Sequence, residues 1–168
     1  MRTLAGLALI TAWTLATGAA PAGVKMCPPN EPGERLDFGG RILDATGQPV
    51  AGVKVFAYHT NIKGEYDRRW LSNRSARLNG TATTGADGAF RFSTIRPAGY
   101  PGGQTPAHIH LEITAPGKKT VYHEYWFEDD PIVTAARRED AKRHGIEIVQ
   151  PVLDASGTWS FTDDIALP

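Results

Sequence analysis

Apolar and polar residues alternate at a period of two through much of this chain, in short runs broken by glycine, proline and aspartate. Val53-Lys54-Val55-Phe56-Ala57-Tyr58 has the spacing of a half-buried strand. By the same reading, strands are expected over residues 38–43, 53–58, 81–84, 89–92, 108–114, 119–127, 146–149 and 158–161. Gly85-Ala86-Asp87-Gly88 lies between two of these runs and reads as a hairpin turn, because Asp-Gly tolerates positive φ. Only residues 131–143 read as helix, with Asp129 or Asp130 as its cap and Gly145 as its terminator. Many short strands with turn residues between them predict an all-β fold, an antiparallel β-sandwich with one short helix. Two longer loops, over 61–79 and 96–105, are the expected carriers of function on that scaffold.

The ends and the charge balance narrow the picture. Arg2, an apolar run from Leu4 to Ala16 and the small residues after it read as an export signal over residues 1–22. That run is too short to span a bilayer, and no later stretch reads as a membrane anchor. Residues 23–35, rich in proline, glycine and charge, read as an extended arm, and 36–168 as one domain. Lysine plus arginine equals aspartate plus glutamate at 18 each, without a basic block, which argues against a nucleic-acid partner. The one cysteine, Cys27, excludes an internal disulfide framework.

The candidate chemistry sits in Pro106-Ala107-His108-Ile109-His110. Two imidazoles two residues apart on a strand project from one face and can reach a single metal ion. One tyrosine lies just upstream in Tyr100-Pro101 and another in Gly64-Glu65-Tyr66. A phenolate is a hard anionic donor, best matched by a trivalent iron whose charge displaces the phenol proton. His59, His123 and His144 have no spacing that calls for a metal, and hydrogen-bonding or surface roles are expected of them.

In order along the chain stand Gly40-Arg41-Ile42-Leu43-Asp44, Gly47-Gln48-Pro49-Val50, Gly64-Glu65-Tyr66, Thr94-Ile95-Arg96-Pro97, Tyr100-Pro101, Pro106 to His110 and Trp126-Phe127-Glu128-Asp129-Asp130-Pro131. This succession resembles the intradiol ring-cleavage dioxygenases, and more specifically their smaller, exported, single-domain members. The resemblance implies a non-haem Fe(III) held by Tyr66, Tyr100, His108 and His110. It implies that a catechol binds through both hydroxyls while Tyr100 leaves the metal and assists removal of a substrate proton. Tyr66 and His110 would then be the equatorial ligands, with His108 axial. The partners implied are a small catechol and dioxygen, the product is a muconate-type dicarboxylate, and a homo-oligomer stays open.

The chain departs from that family pattern at two substrate-facing positions. Thr105 stands where an arginine commonly precedes Pro-Ala-His, and a neutral hydroxyl cannot steady negative charge as a guanidinium does. Arg96, or Arg68, Arg69 or Arg74 in the first tyrosine loop, is the candidate substitute. Glu124 falls where a glutamine is usual, although a slip of one residue would bring His123 or Tyr125 there. The alternatives are a non-catalytic transthyretin-like or carboxypeptidase-regulatory-like β-sandwich, which shares the Gly47-Gln48-Pro49-Val50 stretch, and an iron-binding member without turnover.

Overall fold

The structure, a computed structural model, describes residues 23–66 and 76–168. The expected export signal over 1–22 and the candidates Arg68, Arg69 and Arg74 lie outside the described residues. In chain order the elements are β1 (Val24–Lys25), β2 (Arg35–Leu43), β3 (Lys54–His59), β4 (Leu78–Thr83), β5 (Ala89–Ile95), β6 (His108–Thr114), β7 (Val121–Phe127), α1 (Ala135–His144), β8 (Glu147–Val149), β9 (Val152–Leu153), β10 (Thr158–Thr162) and β11 (Ile165–Ala166). They form the expected all-β sandwich. One sheet runs β1-β5-β2-β10-β9 with β11 also on β2, and the other runs β4-β3-β6-β7-β8.

The core is the set of inward residues from both sheets. Ile109, Leu111 and Ile113 of β6 and Val55 and Ala57 of β3 meet Leu36, Phe38, Ile42, Phe90 and Phe92 of the facing sheet. Phe38 is the centre of an aromatic stack, with ring centroids 5.1 Å from Phe92 and 5.5 Å from Phe161. Burying rings of this size dominates core energetics, and removing one costs about 3–5 kcal/mol.

Three features differ from the sequence expectation. The sandwich is not purely antiparallel: β1 with β5, β10 and β11 with β2, and β7 with β8 are parallel pairs, the β2–β10 pair lying inside its sheet. The Gly85–Gly88 turn is real, with the Gly88 amide donating to the Gly85 carbonyl at 3.0 Å, but it does not close a hairpin. β4 pairs with β3 and β5 pairs with β2, so the turn carries the chain from one sheet to the other. Thr84 diverts it, accepting from the Val53 amide at 2.9 Å and donating to the Val50 carbonyl at 2.7 Å through its hydroxyl. The helix starts later than expected, with Thr134 as its N-cap, and it ends as expected at Gly145 in the left-handed region at φ 67°. The two aspartates first assigned to its cap are engaged elsewhere. Asp129 binds the Arg96 guanidinium through both oxygens, and Asp130 accepts from the Ala107 and Ile132 amides.

His59 is completely buried at the end of β3, with Nδ1 2.7 Å from the Thr60 carbonyl and Nε2 2.7 Å from the Thr94 hydroxyl. Burial pushes its pKa down from 6.5 to about 4. The folded protein therefore resists a proton that the unfolded chain takes up readily. Stability is complete above pH 6.5 and is lost as pH falls through the window down to about 4, by an amount of order 3 kcal/mol. Denaturant midpoints measured on metal-free protein between pH 7.5 and 4 should fall with acidity. A His59→Gln variant, which cannot titrate, should show a shallower fall over that window.

Candidate metal centre

The outer face of the second sheet carries the predicted imidazoles. His108 and His110 project away from the core because Ile109 and Leu111 project into it. The ring of His108 is almost fully buried, and its Nδ1 lies 2.7 Å from the Pro106 carbonyl. A carbonyl only accepts, so Nδ1 carries the hydrogen and Nε2 presents a lone pair. That Nε2 lies 3.5 Å from the Tyr66 hydroxyl, which in turn lies 2.9 Å from the Tyr100 hydroxyl. The imidazoles stand edge to face, their centroids 4.6 Å apart. Tyr66, Tyr100, His108 and His110 thus converge on one spot.

Local structure explains how two distant tyrosines meet there. Asn61 closes a turn, its side-chain oxygen accepting from the Lys63 and Glu65 amides, and this sets the path into Tyr66. The Asn61 carbonyl accepts from the Ala98 amide at 3.2 Å, and the Thr60 hydroxyl donates to the Ala98 carbonyl at 2.6 Å. These bonds tie the Tyr66 turn to the segment that leads into Tyr100. Gly64 allows the close approach: it has φ 74°, and a Cβ there would lie 2.0 Å from the Gly99 carbonyl oxygen.

The electrostatics of the four donors differ. Burial, then the neighbouring Tyr100 hydroxyl, drives the Tyr66 phenol well above the ordinary tyrosine range. Only a strong local cation would offset that and leave Tyr66 as phenolate. Burial pushes the His108 imidazole down toward its neutral, metal-binding form. Tyr100 is only partly buried and packs against the Tyr66 cluster from its rim. Glu124 faces His110 across the ladder from β7, and Trp126 faces His108. Among the described residues His108, His110 and Glu124 form one group with metal-ligand potential, their ligand atoms within 4.8 Å of one another. A cleft of about 290 Å³ beside His110 is lined by Tyr58, Tyr122, Glu124 and His144.

The family model described as Dioxygenase matches residues 13–162. The chain belongs to the intradiol ring-cleavage dioxygenase family. It is 31% identical to chlorocatechol 1,2-dioxygenase of Rhodococcus opacus over 156 residues, covering 80% of this chain and 59% of that protein. It is 28% identical to catechol 1,2-dioxygenase 1 of Acinetobacter lwoffii, covering 93% of this chain and 54% of that one. The chain therefore spans between half and three-fifths of the length of these relatives. In fold, it is similar to the dioxygenase domain of a dioxygenase carbohydrate-binding protein fusion from Streptomyces sp. SirexAA-E. That match has a TM-score of 0.68 at 22% identity and covers 92% of this chain and 95% of the other.

The intradiol dioxygenase family is non-haem iron dependent, and the donors assembled here fit such an ion. Two phenol oxygens and two imidazole nitrogens are hard to borderline ligands, and two phenolates supply the anionic charge that a ferric ion favours. Thr105 lies in the loop between Tyr100 and His108. Arg96 does not reach out from the sheet edge: Asp129 chelates it and its guanidinium stacks over Phe127 and Trp159 at 5.0 and 4.7 Å. The Arg137 guanidinium, on α1, donates to the Gln104 carbonyl next to Thr105. Sequence reasoning missed this cation, and it missed Asp130, which anchors the Ala107 amide immediately before His108 at 2.8 Å. It also missed Tyr58, which stacks on His110 at 4.7 Å. The alternation of β3 carried the signal for Tyr58, since strand neighbours with the same outward phase share a face.

Gly64→Ala should force the two tyrosine loops apart. The expected result is a loss of about 1–3 kcal/mol in stability from the left-handed conformation, together with weaker retention of added iron. Gly47→Ala, at φ 81° with open space around it, carries the conformational strain without the clash and should keep its iron. Chelator competition on the two variants measures the difference.

Proposed function

We propose that this chain cleaves catechol-type rings between their two hydroxyl-bearing carbons with dioxygen, using a ferric ion held by Tyr66, Tyr100, His108 and His110. The observation that carries the reading is the convergence of those four side chains, from three stretches of sequence, in a chain of the intradiol family. When bound, ferric iron would supply the Lewis acidity that draws electron density from a chelated catecholate and opens its ring carbon to dioxygen.

The protein's own groups account for binding and proton handling. Tyr66 is buried, packed against Tyr58 and hydrogen-bonded to Tyr100, so it is placed to stay. Tyr100 is only partly buried, and its oxygen, which the bound ion would hold as phenolate, is the group suited to swing aside and accept a proton from an entering catechol hydroxyl. His108 cannot follow it, because the Pro106 carbonyl fixes its ring and Asp130 fixes the preceding amide. Apolar and aromatic neighbours close the site on the sheet side and restrict water there. Of the two positions assigned to substrate from sequence, Thr105 in the Tyr100–His108 loop is the one left to orient it, because both Glu124 carboxylate oxygens already face His110 and Trp126. Ring opening then yields a muconate-type dicarboxylate that contains both atoms of dioxygen. The relatives' names refer to catechol, chlorocatechol and hydroxyquinol, and a catechol without bulky substituents is the first substrate to offer. The apolar run before residue 22 and the small residues around it support action after export.

The test is aerobic incubation of iron-loaded protein with a panel of catechols, following oxygen uptake and the mass of the product made under isotopically labelled dioxygen. Stoichiometric uptake with both labelled atoms in a ring-opened diacid is expected. Tyr66→Phe should weaken and shift the red-brown tyrosinate-to-iron absorption, leaving the Tyr100 contribution, and lower turnover by at least about 100-fold, since loss of a ligand exceeds the usual cost of losing a ligand's supporting partner. Iron-loaded protein that stays colourless and consumes no oxygen would contradict the proposal.

A further inference from the structure

Resting on the ferric reading above, the geometry points to Glu124 as the residue that positions and tunes His110. It does so as an anionic acceptor on Nδ1, and binds neither iron nor substrate. His110 and Glu124 are cross-strand partners on β6 and β7, so their side chains leave the sheet on one face at the spacing of one ladder rung. The Glu124 Oε2 lies 3.2 Å from His110 Nδ1, and its Oε1 accepts from the Trp126 indole N–H at 2.5 Å. Both carboxylate oxygens are therefore engaged before any ion or substrate arrives. Trp126 is itself held, being buried in a cluster with Val133, just before the helix, and Ala141 of α1. The carboxylate thus has a fixed position on two sides.

An ionised carboxylate accepts and does not donate, so the hydrogen of His110 must reside on Nδ1. Nε2 is then left with its lone pair, as in His108. The two imidazoles are fixed in one tautomer by unlike partners: His108 by a neutral carbonyl and His110 by an anion. Tyr58 completes the clamp by stacking on the His110 ring at 4.7 Å and 23° between planes. A carboxylate partner draws the Nδ1 hydrogen toward itself and makes Nε2 a more basic donor, as in carboxylate–histidine–metal triads. A glutamine at the same place could keep the hydrogen bond but would remove the charge. The consequence particular to this chain is a more electron-rich ferric centre with a tighter hold on its metal.

Two measurements separate this inference from the reading it rests on. In metal-free wild-type protein, nitrogen-15 shifts of His110 should show the hydrogen on Nδ1; a hydrogen on Nε2 overturns the inference without reference to iron. In iron-loaded protein, the conservative Glu124→Gln variant should keep full iron stoichiometry while its tyrosinate-to-iron absorption moves to longer wavelength. Iron release to a chelator should quicken in Glu124→Gln and further in Glu124→Ala, by roughly 10- to 100-fold in the latter. Unchanged band energy and unchanged release, with only KM altered, would show that Glu124 acts on substrate and would overturn the assignment. Loss of iron stoichiometry in Glu124→Gln would make it a direct ligand, which also overturns it. An iron-loaded wild type without the absorption contradicts the ferric reading itself, whatever the tautomer of His110.

Discussion

The structure depends on the period of two along β6. Ile109, Leu111 and Ile113 are locked into the aromatic and aliphatic core, and that burial leaves His108 and His110 no choice of face. A slip of one residue in register would bring both imidazoles into the sandwich and expel three buried aliphatic side chains, at a cost of several kcal/mol. The hydrophobic effect therefore sets the direction of the donors, and hydrogen bonds set their fine placement. His108 is fixed through the Pro106 carbonyl, and His110 through a cross-strand carboxylate.

The tyrosines are placed differently. Neither is on a strand, so no core register holds them. Tyr66 follows an Asn61-centred turn and Tyr100 follows the end of β5, and the two segments are tied by bonds between Thr60 or Asn61 and Ala98. A glycine at 64 lets the two backbones touch. Two side chains 34 residues apart in sequence reach a 2.9 Å contact through this packing of turn against loop. The same contrast suits the proposed roles. A strand holds what must not move, while a partly buried loop residue such as Tyr100 retains the freedom to leave its position.

Much of this was legible in the residues. Alternation marked most long strands, and β6 was expected over the range it occupies, because apolar periodicity and sheet burial are one phenomenon seen twice. The ligand types and their order along the chain pointed to the site. Long-range pairing was not legible. Gly85–Gly88 has hairpin chemistry, yet Thr84 bonds to the Val50–Val53 turn and sends the chain to the opposite sheet. Asp129 and Asp130 have capping chemistry, yet Arg96 and the Ala107 amide claim them from distant segments. Short marginal strands such as β1 and β11 have too few residues to show a period, and only their partners on β5 and β2 define them. The carboxylate on His110 belongs to this class, since it follows from the β6–β7 register.

The central claim is that one ferric ion bonds to two phenolates and two imidazoles on the outer face of this sheet. Diffraction from iron-loaded crystals with anomalous data collected on both sides of the iron edge tests it most directly. The account predicts a single anomalous peak bonded to the hydroxyl oxygens of Tyr66 and Tyr100 and to Nε2 of His108 and His110, with Glu124 still on Nδ1 of His110. A peak bonded to Glu124, or one remote from both tyrosines, would contradict it.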